Sequence, residues 1–124
     1  MIKFENPIQF NITVELKANK VSYSNLMEIC QGCPVIGNIY INNKQIDKYK
    51  FGGPCLLEMN YVYIPMFIRN IFSSGFKLAI INIDTFEIKT IGRKTPLIFL
   101  DEIKNGRIYY YKDLHKTIID SLEL

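Results

Sequence analysis

Apolar and polar residues alternate without interruption over residues 8–16. Side chains on a β-strand point to opposite faces with a period of two, so this pattern predicts a strand with one buried and one solvated face. Similar short alternating runs, separated by turn residues, recur along most of the chain. The pattern therefore predicts an antiparallel β-sheet.

Turn residues between these runs predict hairpins. Asn42-Asn43 and Asn105-Gly106 suit tight two-residue turns, because asparagine and glycine tolerate positive φ. A further hairpin is expected over 76–91, followed by a loop over 92–96. Gly52-Gly53-Pro54 should break the sheet. Pro65 should end a strand or place it at a sheet edge. Turn signals at this spacing predict about seven to nine strands, curled into a sandwich or barrel.

Two segments are predicted to be helical. The capping-box pattern of Asn25 and Glu28 predicts a helical turn over 26–30. Near the C-terminus, Asp113 can cap a helix, and apolar residues then recur at a spacing of four. These apolar residues are Leu114, Ile118 and Leu122. We therefore expect a mainly β (α+β) fold with an amphipathic helix over 113–123.

Length and composition indicate one β-rich domain over residues 1–124. Hydrophobic residues make up 48% and charged residues 22%, as in ordinary globular proteins. Apolar runs are far shorter than the ~20 residues that span a bilayer. The N-terminus lacks a signal-peptide pattern, so we expect a cytoplasmic protein without membrane contact. The net charge of +3 is spread along the chain, which gives little support to a nucleic-acid partner.

The three cysteines raise the question of redox or metal chemistry. Cys30 and Cys33 form a C-x-x-C pair, but Pro34 follows where a redox motif needs a helix. A zinc site would need two further ligands, for which Cys55 and His115 are the candidates, and this possibility stays open. For a cytoplasmic protein we predict three free thiols and no metal or other cofactor.

Catalytic patterns are otherwise missing from the sequence. His115 is the single histidine, and Asp113 and Asp120 lie at helical offsets that do not face it. The glycines of Phe51-Gly52-Gly53-Pro54 lack the lysine and hydroxyl residue that a phosphate-binding loop requires. We therefore do not expect an enzyme or a small-molecule ligand.

Tyrosines are concentrated in two predicted strands. Tyr109 and Tyr111 share a sheet face that Tyr110 does not, so some of these side chains must lie at a surface unless they are ordinary strand residues. Exposed tyrosine is favoured at protein interfaces. The predicted partner-binding residues are a central cluster of Tyr61, Tyr63, Tyr109 and Tyr111, bordered by Phe51 and Arg107, with Arg93 on a polar rim.

Four short stretches carry a resemblance to a known class of proteins. They are Phe51-Gly52-Gly53-Pro54, Tyr63-Ile64-Pro65, Gly75-Phe76-Lys77-Leu78 and Ile108-Tyr109-Tyr110-Tyr111. Over residues 50–113 the chain resembles the small β-rich immunity proteins of bacterial polymorphic and contact-dependent toxin systems. The resemblance implies a protein that binds a cognate toxin and blocks its active site. Immunity proteins against nucleases often present an acidic face, from which the net charge of +3 departs.

Two other functions stay open. Basic residues flank the aromatic strands, as in the segment Lys48-Tyr49-Lys50-Phe51, so the chain could be a nucleic-acid-binding β-barrel that stacks bases on its aromatic rings. A thiol- or metal-dependent enzyme is the third alternative. The sequence identifies neither the toxin nor the oligomeric state.

Overall fold

The expected antiparallel sheet is present in the computed structural model, which describes residues 2–124. Strands make up all of its regular secondary structure, and no helix occurs among those residues. The strands are β1 Thr13–Leu16, β2 Asn19–Glu28, β3 Val35–Ile41, β4 Lys44–Phe51, β5 Leu56–Glu58, β6 Tyr61–Arg69, β7 Ser74–Asn82, β8 Ile88–Thr95, β9 Phe99–Lys104, β10 Arg107–Tyr111 and β11 Ile119–Glu123. The antiparallel β-sheet is confirmed, with more strands than predicted, whereas the α+β class is wrong because residues 2–124 contain no helix.

Two sheets make up the architecture. The larger sheet has the order β1-β2-β3-β4-β6-β7-β8, and β5 also pairs with β6. Strand β4 pairs with β6 only at Lys50–Phe67 and Phe51–Met66, and beyond this short contact β5 takes its place beside β6. The smaller sheet has the order β11-β10-β9. The larger sheet is curled, and the smaller one packs on part of its outer side.

Strands β6 and β7 are buried on both faces. Val62 and Ile64 of β6 point into a first core inside the curl, together with residues of β2, β3 and β4. Tyr63 of β6 and Leu78 of β7 point the other way, into a second core that includes Ile108 of the smaller sheet. Burial on two faces explains why these strands read as nearly continuous apolar runs rather than alternating ones.

Pro65 lies within β6 and not at a sheet edge, contrary to the prediction. The carbonyl of Pro65 accepts a hydrogen bond from the backbone N–H of Gly52 at 2.8 Å. The N–H and C=O of one strand residue point to the same side. The missing N–H of Pro65 therefore faces the Gly52-Gly53-Pro54 break between β4 and β5, where the regular ladder is interrupted. The predicted break in the sheet is confirmed.

Local turn chemistry predicts the hairpins well. Asn42 and Asn43 have φ of 51° and 69°, and Asn105 and Gly106 have φ of 52° and 74°, as the sequence predicts for tight turns. The hairpin over 76–91 is also confirmed. The loop over 92–96 is wrong, since β8 continues to Thr95 with an irregular register around Gly92, whose φ is 80°.

The helical turn over 26–30 is wrong. Residues 19–28 form one strand, β2, and the residues of its second half still pair with β3. Asn25 has φ of 53°, and the register of the pairing shifts between Ser24 and Met27. The asparagine thus supports a bulge within a strand instead of capping a helix.

The C-terminal helix is also wrong. The Asp113 carboxylate accepts hydrogen bonds from the backbone N–H groups of Thr117 and Ile118, at 3.0 and 2.9 Å, four and five residues away. This closes a turn in which Lys116 has φ of 60°. The chain then forms β11, which pairs antiparallel with β10. Pairing with β10 and the β-branched residues of 117–119 favour the strand over the helix.

The alternating segment over 8–16 is only partly a strand. Asn6 accepts hydrogen bonds from the N–H groups of Ile8 and Gln9, and this turn precedes an irregular stretch. Phe10 is buried in the first core, whereas Ile12 is 56% exposed. The regular strand begins at Thr13, so the alternation correctly predicts burial only for part of the segment.

Candidate functional site

The outer side of the smaller sheet brings together three of the predicted partner-binding residues. Ile108 and Tyr110 of β10 point into the second core, so the alternate residues of the strand point outward. These are Arg107, Tyr109 and Tyr111, all half-buried. We call this surface the tyrosine face. It consists of Arg107, Tyr109 and Tyr111 with their cross-strand neighbours Phe99, Glu102, Lys104, Ile119, Ser121 and Glu123.

Aromatic rings and lysine side chains pack together on the tyrosine face. The rings of Phe99 and Tyr111 meet edge to face, with centroids 6.0 Å apart. The Lys116 ammonium lies 5.2 Å from the ring centre of Phe99 and 5.8 Å from that of Tyr111. The Lys104 ammonium lies 5.6 Å from the ring centre of Tyr109. Each of these rings therefore has an ammonium group over it, and the ring quadrupole attracts that positive charge.

Charges of both signs occur along this face. The Lys104 ammonium lies 3.4 Å from a carboxylate oxygen of Glu102, and Arg107 sits between Lys104 and Glu123. The Nε–H of Arg107 also donates to the Ser121 hydroxyl at 3.1 Å. The face therefore combines apolar area with fixed polar groups and carries no strong excess of one charge.

The turn between β10 and β11 borders the face. The Thr117 side chain and the Ile118 N–H hold the pKa of the Asp113 carboxyl below its ordinary value, because both donate to the ionised form. Ile118 and Ile119 are each 55% exposed. The turn thus fixes Lys116 over the rings and adds apolar surface beside them.

The outer edge of the smaller sheet is partly blocked. The Asp120 carboxylate accepts a hydrogen bond from the Ser121 N–H at 2.8 Å and lies 3.2 Å from the Lys112 ammonium. These two contacts hold the pKa of Asp120 below its ordinary value. Ser121 alternates with the residues that bond to β10, so its N–H faces the open edge. The Ser121 N–H therefore already donates to the Asp120 carboxylate and is not free to pair with an added strand.

Tyr61 and Tyr63 lie elsewhere. Tyr63 is 8% exposed and belongs to the second core, and burial is the main reason that its pKa is raised. Tyr61 is 40% exposed, with its ring centre 6.4 Å from that of Tyr63. The two tyrosines line an open groove of about 400 Å³ with Lys89 and other residues of the larger sheet. The single cluster of four tyrosines that the sequence predicts is therefore not formed.

Two further predicted site residues are also separate from the tyrosine face. Phe51 is fully buried in the first core and cannot border a surface cluster. Ile46 points into the same core five residues earlier, because Lys48, with φ of 83°, shifts the phase of β4. Arg93 is exposed on β8, within a strand and not in the predicted loop.

The cysteines differ from the prediction in one respect. Cys30 and Cys33 are joined by a disulfide in the turn between β2 and β3, so the expectation of free thiols is wrong for these two. Their proximity across a two-residue turn, which the Cys33 N–H closes onto the Cys30 carbonyl, allows the bond. Residues 2–124 contain no group of three or more histidine, cysteine and acidic side chains suited to a metal.

Cys55 is a free thiol in the first core. Burial raises the pKa of the Cys55 thiol to about 12, despite a hydrogen bond with Tyr23 that lowers it. Such a thiol is protonated at neutral pH and is a poor nucleophile. His115 is exposed in the turn before β11. The buried Cys55 and the exposed His115 therefore give no support to the zinc site or the thiol-dependent enzyme that the sequence leaves open.

Sequence reasoning missed Phe99, Lys116 and Ile119 as parts of the tyrosine face. The predicted helix over 113–123 includes Lys116 and Ile119, and a helix there conceals their relation to β10. The β-branched run over 117–119 was a signal for a strand. The position of Phe99 opposite Tyr111 follows from the Asn105-Gly106 turn, once the bulge between the two strands is known.

Comparison with protein families, with curated proteins and with solved structures finds no match to this chain. No helix long and apolar enough to cross a membrane occurs in the part of the chain that the structure describes. Any assignment of function therefore rests on the residues of this chain and on their geometry.

Proposed function

We propose that this protein is a non-catalytic binding protein that recognises another protein through the tyrosine face. The observation that carries this proposal is the row of Arg107, Tyr109 and Tyr111 on the central strand of the smaller sheet. The opposite side of that strand is buried, which holds the row in place. Tyrosine on a rigid support contributes large contact area at small entropic cost, and arginine is enriched among the residues that dominate interface energies.

The charge distribution favours a protein partner over a nucleic acid. Glu102 and Glu123 accompany the basic residues of the face, and they would repel a phosphate backbone. Base stacking needs an open ring face, whereas Lys104 lies over Tyr109 and Lys116 over Tyr111. A mixture of aromatic, apolar and oppositely charged groups is typical of protein interfaces.

A nucleic-acid-binding module is the second candidate. The same two lysines beside aromatic rings support it, since they could turn toward phosphates while the rings stack on bases. Such binding would weaken steeply with rising salt.

The partner class follows from the resemblance of residues 50–113 to immunity proteins: a cognate bacterial toxin, which this protein would block in the cytoplasm. A standard interface uses about 20–30 residues on each side. The tyrosine face is smaller, so it would form the centre of the contact. In a reducing cytoplasm Cys30 and Cys33 would be a dithiol in most molecules.

The test is growth rescue by co-expression with the toxin domain encoded by the neighbouring gene. Tyr109→Ala and Tyr111→Ala should each weaken binding by about 2 kcal/mol or more, roughly a thirtyfold rise in Kd, and should reduce rescue. Tyr49→Ala is the matched control, because Tyr49 is 41% exposed but lies on β4. Circular dichroism should show the same sheet spectrum for all three variants.

Two results would contradict the proposal. One is full rescue by the Tyr109→Ala, Tyr111→Ala double variant. The other is salt-sensitive binding to single-stranded oligonucleotides that the same double variant abolishes, combined with no toxin gene beside this one.

A further inference from the structure

The turn between β6 and β7 exposes two large apolar side chains. Ile71 and Phe72 are each 90% exposed. The turn is ordered by Asn70, whose side-chain oxygen accepts hydrogen bonds from the N–H groups of Phe72 and Ser73, both at 2.9 Å. The Asn70 N–H also donates to the Ser73 carbonyl at 3.0 Å. Tight turns favour small polar residues, so an adjacent isoleucine and phenylalanine at the tip need an explanation.

The tip projects beyond the sheet. The last two residue pairs of the β6–β7 hairpin are Ile68–Gly75 and Arg69–Ser74. On the β6 side, the pairing with β4 reaches only to Phe67. On the β7 side, the pairing with β8 reaches only to Phe76. The final turn of the hairpin therefore has no paired strand on either side. Ile71 and Phe72 at its tip are accessible to an apolar environment or to another molecule.

Basic residues surround the base of the tip, and acidic residues are absent from its strands. Strands β6, β7 and β8 contain no aspartate or glutamate, and the sequence has none over 59–83 or 88–100. Arg69 is exposed in the last residue pair of the hairpin, and Arg93 is exposed on β8, two residues before the partner of Phe76. The Lys94 ammonium donates to the Ser73 hydroxyl at 2.6 Å.

Gly75 allows Lys94 to reach the tip. A Cβ at position 75 would lie 2.8 Å from the Lys94 Cγ and 2.9 Å from the Thr95 carbonyl oxygen. The glycine therefore leaves room for the lysine stem to cross the hairpin. As a result a positive charge is held beside the exposed apolar pair.

We propose that the β6–β7 tip contacts the surface of an anionic lipid bilayer. Ile71 and Phe72 would enter the boundary between headgroups and acyl chains, while Arg69, Arg93 and Lys94 face the lipid phosphates. Two side chains are too small a patch for a standard protein interface. They suffice for shallow insertion, which combines a small apolar area with electrostatic attraction.

This contact goes beyond the proposed function and is independent of it. The sequence predicts no membrane contact, because its apolar runs are too short to span a bilayer. Peripheral insertion needs no such run. The experiments below contain no partner protein, so their failure would leave the tyrosine-face proposal untouched.

A single tryptophan can report on the tip. The chain has no tryptophan, so Phe72→Trp introduces one fluorophore at the insertion site. Its emission should shift to shorter wavelength when phosphatidylcholine vesicles containing phosphatidylglycerol are added, and not with phosphatidylcholine alone. Phe4→Trp is the matched control, because Phe4 is 91% exposed near the N-terminus, and its emission should not shift.

Vesicle sedimentation tests the two parts of the contact separately. The Ile71→Ser, Phe72→Ser double variant should bind the anionic vesicles at least about tenfold more weakly than the wild type. Arg69→Gln with Lys94→Gln should give a similar loss and a weaker dependence on salt. Met59→Ser, at an 80% exposed methionine in another turn, should bind as the wild type does.

The proposal would be overturned by an unshifted Phe72→Trp emission, or by equal vesicle binding of the Ile71→Ser, Phe72→Ser variant and the wild type. The absence of any wild-type binding to anionic vesicles would also overturn it. In that case the next candidate would be a partner protein with an apolar pocket that accepts Ile71 and Phe72.

Discussion

The hydroxyl of Tyr23 should stabilise the break between β4 and β5. Tyr23 lies in the first core, with its ring centre 4.8 Å from that of Phe10. Its hydroxyl donates a buried hydrogen bond to the Gly52 carbonyl at 2.8 Å. Gly52 follows the end of β4, where the regular ladder stops. Tyr23→Phe removes this hydrogen bond and keeps the packing of the ring.

The magnitude follows from the carbonyl that is left behind. A buried polar group that loses its partner destabilises a protein by about 1–3 kcal/mol. The substitution removes only the hydroxyl and leaves the packing of the ring against Phe10 in place, so the lower part of this range applies. We therefore expect the free energy of unfolding to fall by about 1–2 kcal/mol. For a domain of this size that is about 4 °C in Tm for each kcal/mol.

Urea unfolding followed by circular dichroism measures this change. The control is Tyr49→Phe, because the Tyr49 side chain is 41% exposed and its hydroxyl can bond to water. The control should stay within about 0.5 kcal/mol of the wild type. If Tyr23→Phe were as stable as Tyr49→Phe, the hydrogen bond to Gly52 would contribute nothing and the reasoning would be refuted.

Three other predictions concern pH, thiol content and the last turn. Because burial raises the Cys55 pKa to about 12 and an unfolded thiol ionises near 8.5, the free energy of unfolding should fall by up to about 1.4 kcal/mol per pH unit above about pH 9. Cys55→Ala should reduce this slope in urea titrations at successive pH values, and an unchanged slope would contradict the assignment. In protein purified in air without a reductant and then denatured, thiol titration should detect Cys55 alone, whereas a count of three would mean that Cys30 and Cys33 do not bond even under oxidising conditions. The Ile118 N–H donates a hydrogen bond to the Asp113 carboxylate, so Asp113→Ala should speed amide hydrogen exchange at Ile118. An unchanged rate would show that the turn closes without the carboxylate.

Features that depend on one or two residues could be predicted from the sequence. The Asn42-Asn43 and Asn105-Gly106 turns follow from the tolerance of asparagine and glycine for positive φ, which is a property of the local backbone. The position of the Gly52-Gly53-Pro54 break can likewise be predicted from these three residues. The reason that glycine is needed there is a tertiary contact. A Cβ on Gly53 would lie 2.6 Å from the ring of Phe10, and this packing is invisible in the sequence.

The C-terminal segment shows where periodicity fails. A spacing of four between apolar residues suits one face of a helix, but four is also twice the period of a strand. Leu122 is therefore apolar for a reason that fits both structures, and it does pack on the second core. The choice between them depends on pairing with β10, a tertiary contact that outweighs local propensity.

The candidate site was half predictable for a similar reason. Alternation along β10 places Tyr109 and Tyr111 on one face and Tyr110 on the other, as the sequence indicates. Alternation along β6 likewise places Tyr61 and Tyr63 on one face. That face is covered at Tyr63 by the smaller sheet, and no pattern within β6 reveals which later strands will cover it.

The two proposed contact surfaces share one support, and this decides which variants are informative. The tip is the end of the β6–β7 hairpin, and the tyrosine face belongs to the sheet that packs on the same two strands through the second core. A cavity made there, for example by Leu78→Ala, should destabilise the protein by about 2–5 kcal/mol and weaken both contacts together. Only exposed positions can separate them. Phe72→Ser should affect vesicles and leave toxin rescue unchanged, whereas Tyr109→Ala should do the reverse. If Phe72→Ser reduced toxin rescue, or Tyr109→Ala reduced vesicle binding, the tip and the tyrosine face would form one continuous interface.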